Sequence, residues 1–341
     1  GIGQSASAGV ALPLMGATQS SQIDDLLPCC THNAPPRAVW RVPPWPGAAT
    51  QPLAPPVAGR DFETGELVEA AYCLEISKPD FQRTPYGLRC FPVPWNGGTC
   101  LLFPLGWGLL YGRSVAKANL AAKHAFQPPP RLTIGGKVTG KPDAKAVHWL
   151  NFHATRPIEE GEPLIVGVPV GPEIPANLHT SCGAGLLQDM AGRVGEEMCA
   201  IDEAGATELW PMPECLFLHD EPLVAIGASN VEGVGVFAMQ DIAAGEVVDV
   251  SPSFPFLDAD GKDTTLQNYL FGVPFPKCSG RGVSQCLLGD GMVHNHDSPG
   301  HMTHFKFVRQ PYLEVFVAEC DIACGEEIMH DYGPTWWVGR H

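Results

Sequence analysis

"LLGDGMVHNHDSPGHMTHF", Leu287 to Phe305, sets four histidines, one asparagine and two aspartates within nineteen residues. Taken alone, the stretch fits a metal centre, an acid–base cluster or the wall of a cofactor pocket. Zinc would want two or three histidines converging with ordered partners behind them. His294, His296, His301 and His304 are the donors on offer. On an extended backbone His294 and His296 share a face, because side chains alternate and Asn295 lies between them. The segments on either side decide among the three.

Upstream lie "EGVGVFAMQDIAAGEVV" from Glu232 and "LQNYLF" from Leu266; downstream lies "DIACGEEIMHDYGPTWW" from Asp321. A Gly-x-Gly pair such as Gly233–Gly235 lets a backbone approach a ligand that a side chain would hold off, though a lone pair of this kind is more often a tight turn before a strand. Here Phe237-Ala238 and Gly245-Glu246 follow it, then Tyr269, Asn295-His296 and Tyr332-Gly333. Four motifs in this order and at these intervals resemble the SET domain, the fold of the protein-lysine methyltransferases. The resemblance covers about 120 residues of the C-terminal part.

The resemblance implies a set of roles. Gly233, Val234, Gly235, Asn295 and His296 would hold S-adenosylmethionine, with Trp336 at the mouth of the pocket. Tyr269 would form a wall of the lysine channel, and Tyr332 would be the catalytic tyrosine, its hydroxyl orienting the amine. The family also threads its C-terminal segment through a loop, a pseudoknot, which should bring "VHNHD" beside "HDYG". No metal is expected, since no cysteine-rich tail follows. The chain departs from the family at His294 and Asp297, where Tyr and Ser are usual, at Pro299-Gly300-His301, where Pro-Asn is usual, and at Trp336-Trp337.

Within the chain, three segments match three others in the same order. "AGRDFETGELVEAAYCLEI" from Ala58 matches the segment from Ala238, "LGWGLLYGRS" from Leu105 matches that from Leu288, and "HATRPIEEGEPLIV" from His153 matches that from Val317; the offsets are 180, 183 and 164 residues. Two copies of one module are thus expected. The first has lost the chemistry: Leu53 and Pro55 replace the glycines, Gly112-Arg113 replaces Asn-His, and "EGEPLIVGV" lacks a tyrosine. It reads as a non-catalytic repeat used for packing or docking. The expected division is a Pro/Ala/Ser-rich tail at 1–57, a degenerate SET-like repeat at 58–170, a helical connector at 171–220 and a SET domain at 221–341. Apolar residues at helical spacing over Gly183–Asp202 predict one amphipathic helix in the connector.

Composition agrees with a fold that is mainly β with few helices, built of short curved sheets: the chain of 341 residues has 38 Gly and 34 Pro but only 17% charged residues. A net charge of −16 argues against nucleic acid, which needs a basic footprint. The twelve cysteines contain no C-x-x-C pair and read as reduced structural thiols. Cys90–Gly112 carries no formal charge, but its prolines and glycines exclude a lipid-exposed helix, so no membrane span is expected. The tail 1–57 gains order only from a surface to lie on, its own globule or a partner, and packing on partner chains is the expectation drawn from it. A start at Gly1 without methionine and a Ser/Ala-rich opening are compatible with a processed, organelle-imported protein. Two functions follow: a methyltransferase acting on lysine in a protein substrate, or a catalytically inactive SET-like structural or docking subunit of a larger complex.

Overall fold

The computed structural model describes residues 36–41, 54–77, 90–167, 215–218, 222–257, 265–272, 283–306, 313–333 and 336. Among these residues the protein is built of strands, with three short 3₁₀ turns, Trp107–Leu109, Thr265–Tyr269 and Asp290–Met292, and no α-helix. The helix expected over 183–202 lies outside the described residues.

In the N-terminal part, "LVEAAYCLEI", apolar but for Glu69 and Glu75, makes Leu67–Ile76 a long central strand buried along much of both faces. The seven strands of its sheet run in the order Phe91–Trp95, Gly98–Pro104, Leu67–Ile76, Val147–Ala154, Leu120–Gln127, Ile165–Gly167, Gly112–Arg113. Edge-to-face pairs of Phe91 and Tyr111 against Phe152 pack one face, at 5.6 and 5.3 Å between centroids. In the C-terminal part, five strands run in the order Leu270–Gly272, Val283–Leu287, Val247–Leu257, Leu313–Ala318, Met302–Lys306. A separate three-stranded sheet sets Val234–Ala238 between Val224–Ala228 and Glu327–Ile328.

Several hydrogen bonds of the N-terminal part have counterparts of the same kind in the C-terminal part. Phe62 and Ile158 exchange backbone hydrogen bonds of 2.9 and 3.0 Å, and Ile242 and Ile322 exchange bonds of 2.9 and 2.8 Å. Glu66 Oε2 accepts from Glu63 N and Glu246 Oε2 from Ala243 N. Glu162 Oε2 accepts from Glu159 N and Glu326 Oε2 from Ala323 N. Asp61 Oδ1 accepts from Glu160 N and Asp241 Oδ1 from Cys324 N, both at 2.8 Å. Leu105 N donates to Tyr72 O, and Leu288 N to Pro252 O. Each 3₁₀ turn of the two Leu-Gly-x-Gly segments is held by a buried carboxylate: Glu69 accepts from Trp107 N at 2.6 Å, and Asp249 from the backbone of Gly291.

The two parts share one hydrophobic core. Their Leu-Gly-x-Gly segments touch, with Gly289 N donating to Leu105 O at 2.6 Å. The extra residues of the N-terminal part, which include the hairpin Thr133–Ile134 and Lys137–Val138, reach across to the C-terminal part: Ala228 N donates to Pro130 O at 2.8 Å.

One segment assigned to the tail lies elsewhere than expected. Ala38–Arg41 is a strand between Cys215–Leu218 and Val57–Ala58, with Ala38 and Trp40 buried. Its Ala-Val-Trp-Arg alternation suits a half-buried strand, and this piece of 1–57 packs on its own chain. The described parts of the expected connector likewise contribute a strand, Cys215–Leu218.

Candidate active site

The three-stranded sheet builds one side of the site. Gly227 faces Gly235, and Glu327 is paired with Phe237, two residues from Gly235 and on the same face, so the Glu327 side chain reaches over Gly235. Gly233 turns the chain into its strand at φ +54, and a Cβ there would meet nothing within 4 Å. At Gly235 the situation is the reverse: a Cβ would lie 2.2 Å from Glu327 Oε1. The bare face of Gly235 is filled by Glu327, while the space over Gly233 is open.

Asn295 closes onto this sheet. Its Nδ2 lies 2.8 Å from Glu327 Oε1, 2.9 Å from Val234 O, 2.9 Å from Ser229 Oγ and 3.3 Å from Glu232 O. Two N–H groups are shared among four acceptors. Glu327 also accepts from Ser229 Oγ at 2.5 Å and from Asn230 N at 3.3 Å. Asn295 is therefore the clamp that ties the histidine loop to the Gly-x-Gly strand, and its amide nitrogen faces protein acceptors.

The C-terminal segment runs against the same loop on two sides. His330 N donates to Asn295 O and His301 N to Met329 O, each at 2.9 Å. His330 bridges in parallel to both His296 and Met302. The segments "VHNHD" and "HDYG" thus meet as the sequence led one to expect. Tyr332 donates its hydroxyl to His294 O at 2.5 Å and its N–H to His296 Nδ1 at 3.2 Å. Its ring lies 5.1 Å from the His296 ring and 4.7 Å from Trp336. Burial, with nearby Tyr269 adding, pushes the Tyr332 hydroxyl up to about 12, so it stays protonated at neutral pH.

Tyr269 faces the same region, close enough for its charge state to act on Tyr332 and for Glu232 to act on Tyr269. Its hydroxyl shares a hydrogen bond with Tyr72 of the N-terminal central strand. Burial raises both phenols above their ordinary range. Tyr72 is fixed in turn by an edge contact with Trp149 at 5.9 Å.

The histidines diverge. His294, only 3% exposed, directs Nδ1 to Ile328 O at 3.1 Å, and burial lowers its ring to about 3. It is neutral. His296 directs Nδ1 toward Tyr332 N and His330 O. His301 accepts from Met329 N and lies 3.4 Å from Glu326. The side chain of His304 lies outside the described residues.

Of the expected site residues, Gly233, Val234, Gly235, Asn295, His296, Tyr269, Tyr332 and Trp336 fall in one connected region. The order of strands, the clamp between loop and glycine strand, and the tyrosine against the histidine loop are now in place. Residues 233–333 match the family model of the SET domain. This part of the chain is a SET domain.

Among curated proteins no match was found. Solved structures similar to the chain include a candidate histone methyltransferase of Plasmodium falciparum, 23% identical with a TM-score of 0.29, over 34% of this chain and 98% of that one. A humanized mutant of the Chaetomium thermophilum Polycomb Repressive Complex 2 bound to an inhibitor is 23% identical with a TM-score of 0.26, over 33% of this chain and 15% of that one. The same complex in an autoinhibited conformation bound to S-adenosylmethionine is 21% identical with a TM-score of 0.27, again over 33% and 15%. The chain spans a small share of the Chaetomium chains.

Sequence reasoning about the SET domain missed three residues. Glu327 lay within the quoted Gly-Glu-Glu motif, but its place against Gly235 follows from strand pairing. Ser229 bridges Glu327 and Asn295 from a turn that carries no pattern. Tyr72 comes from the other half of the chain.

Proposed function

We propose that the SET domain is an S-adenosylmethionine-dependent protein-lysine N-methyltransferase, with Tyr332 as its catalytic tyrosine. The observation that carries this reading is the joining of Gly233, Asn295, His296 and Tyr332 in one region, with open space over Gly233. The residues fit such a cofactor. Room over a bare backbone suits close approach, and the aromatic faces of Tyr332, His296 and Trp336 suit a sulfonium cation. When bound, S-adenosylmethionine would supply an electrophilic methyl group on positive sulfur.

The chain's own residues do the rest by position. Gly233 and the Val234 backbone would line the cofactor, and the Asn295 clamp would hold that wall in shape. Tyr332 donates its O–H to His294 O, which leaves its oxygen lone pairs free to accept from a lysine amine or from polarised methyl C–H groups. A phenol that keeps its proton up to about 12 orients and stabilises; it does not abstract protons at neutral pH. The amine must therefore arrive neutral, its proton lost to water. Tyr269, tied to Tyr72, would form the channel wall.

The matched hydrogen bonds at offsets of 180 and 164 residues support reading 58–170 as a degenerate copy of 221–341, a docking or packing half without chemistry. The bonds on both sides of Met329–His330 support the threaded C-terminus the family would have.

A second reading keeps the fold without the reaction, as a structural or docking subunit of a larger complex. Glu327 filling the face of Gly235 favours it. The two separate in one assay: transfer of labelled methyl from S-adenosylmethionine onto lysine-rich protein fractions, native chain against Tyr332→Phe. Label that depends on Tyr332 supports the enzyme; none from a folded chain that also fails to bind the cofactor supports the subunit.

A further inference from the structure

We propose that Glu75, Cys100 and His148 form a binding site for a divalent, thiolate-accepting metal ion of the zinc class on one face of the N-terminal sheet. The three residues come from three neighbouring strands, Leu67–Ile76, Gly98–Pro104 and Val147–Ala154. Register places them on one face. His148 is paired with Cys73, which is two residues from Glu75; Glu75 is paired with Leu102, which is two residues from Cys100. One ligand atom from each lies within 4.8 Å of the others, the only such trio among the described residues. His148 Nε2 is already 3.7 Å from Glu75 Oε2. Zinc bonds of about 2.0–2.3 Å in a tetrahedron would need these atoms to close by roughly 1 Å, within the reach of a glutamate side chain.

The Cys100 thiol is hydrogen-bonded to the Glu75 carboxylate, and the histidine is held from behind. His148 Nδ1 lies 2.9 Å from His124 Nε2. With His124 as acceptor, His148 carries its proton on Nδ1 and turns the Nε2 lone pair toward Glu75 and Cys100, the arrangement of a ligand histidine with its outer partner. Trp95 packs edge-on against both rings, at 5.4 Å from His124 and 5.2 Å from His148, and fixes their planes. Burial lowers both imidazoles, in His148 against the pull of the Glu75 carboxylate. Burial, with the neighbouring Glu75 carboxylate adding, pushes the Cys100 thiol up to about 12. A dication would reverse that balance: the thiol loses one proton to solvent as the S–metal bond forms, and thiolate plus carboxylate neutralise the ion. The exposed Glu75 side chain, 60% accessible, gives the ion an entry. The sequence expectation of no metal weighed the histidines from His294 to His304; these ligands lie in the other half and carry no motif spacing. The site is independent of the methyl-transfer reading.

The test uses the full chain stripped with a chelator and titrated with Co²⁺ as the spectroscopic stand-in for Zn²⁺. The expected result is one equivalent bound with a thiolate-to-cobalt charge-transfer band and tetrahedral visible bands, displaced by Zn²⁺. The band should vanish in Cys100→Ser. Glu75→Gln, at an exposed position that leaves the fold intact, should weaken binding at least tenfold. Absence of the thiolate band from the native chain, or a band indifferent to Cys100→Ser, would overturn the site.

Discussion

Tyr332 donates its hydroxyl to the carbonyl oxygen of His294, 38 positions earlier, over 2.5 Å. One bond thus ties the C-terminal segment to the histidine loop and turns the lone pairs of the phenol away from that carbonyl. Tyr332→Phe should abolish methyl transfer while cofactor affinity holds. Losing the bond should cost about 1–3 kcal/mol, the upper end if the carbonyl stays dry. Parallel activity and thermal-melt measurements check this; loss of folding would make Tyr332 a core residue only.

The Asn295 clamp makes a prediction of sign. Asn295→Ala removes the donor that satisfies Glu327 and Val234 O and should destabilise by about 2 kcal/mol. Asn295→Asp instead sets a second carboxylate against Glu327. It should be the worse of the two at pH 7, because two like charges then face each other where the amide now donates. Denaturant melts of the two variants measure the difference.

The two glycines should separate. Gly235→Ala drives a methyl into Glu327 and should destabilise by about 1–3 kcal/mol through overpacking. Gly233→Ala meets no atoms, so only its left-handed backbone is strained, by about 1–2 kcal/mol. If cofactor lies over Gly233, this second variant should lose more affinity for S-adenosylmethionine than it loses in stability. Titration calorimetry beside thermal melts decides.

Stability should fall from both ends of the pH scale. Burial lowers His294 from 6.5 to about 3, so the unfolded chain takes up a proton that the fold refuses. That stabilisation is complete above about 6.5 and is lost as pH falls toward 3. Glu69 goes the other way, raised by burial from 4.5 to about 7. The fold keeps a proton that the unfolded chain releases, so this contribution is complete below about 4.5 and lost as pH rises to about 7. Asp290, raised to about 8 by burial and by the Asp249 and Glu69 charges, adds in the same direction. Glu69→Gln should therefore gain stability relative to the native chain between pH 5 and pH 8, as melts across that range will show.

Much of this was legible because its signals are sequential. The order Gly233-x-Gly235, Tyr269, Asn295-His296, Tyr332 is read directly along the chain. What the residues concealed is set by long-range pairing. Glu327 meets Gly235 only because Val236 pairs with Ile328. Tyr72 reaches Tyr269 only because the two halves share a core. The strand Ala38–Arg41 is four residues among prolines, too short a pattern to outweigh its composition. Glu75, Cys100 and His148 come from three strands, and sheet ligands leave no spacing to read.

The most direct measurement is calorimetric titration of S-adenosylmethionine into the full chain. The account predicts saturable heat at one equivalent, with a matching rise in melting temperature, and marked weakening in Gly233→Ala. No heat and no thermal shift at millimolar cofactor, from a chain that melts cooperatively, would contradict it.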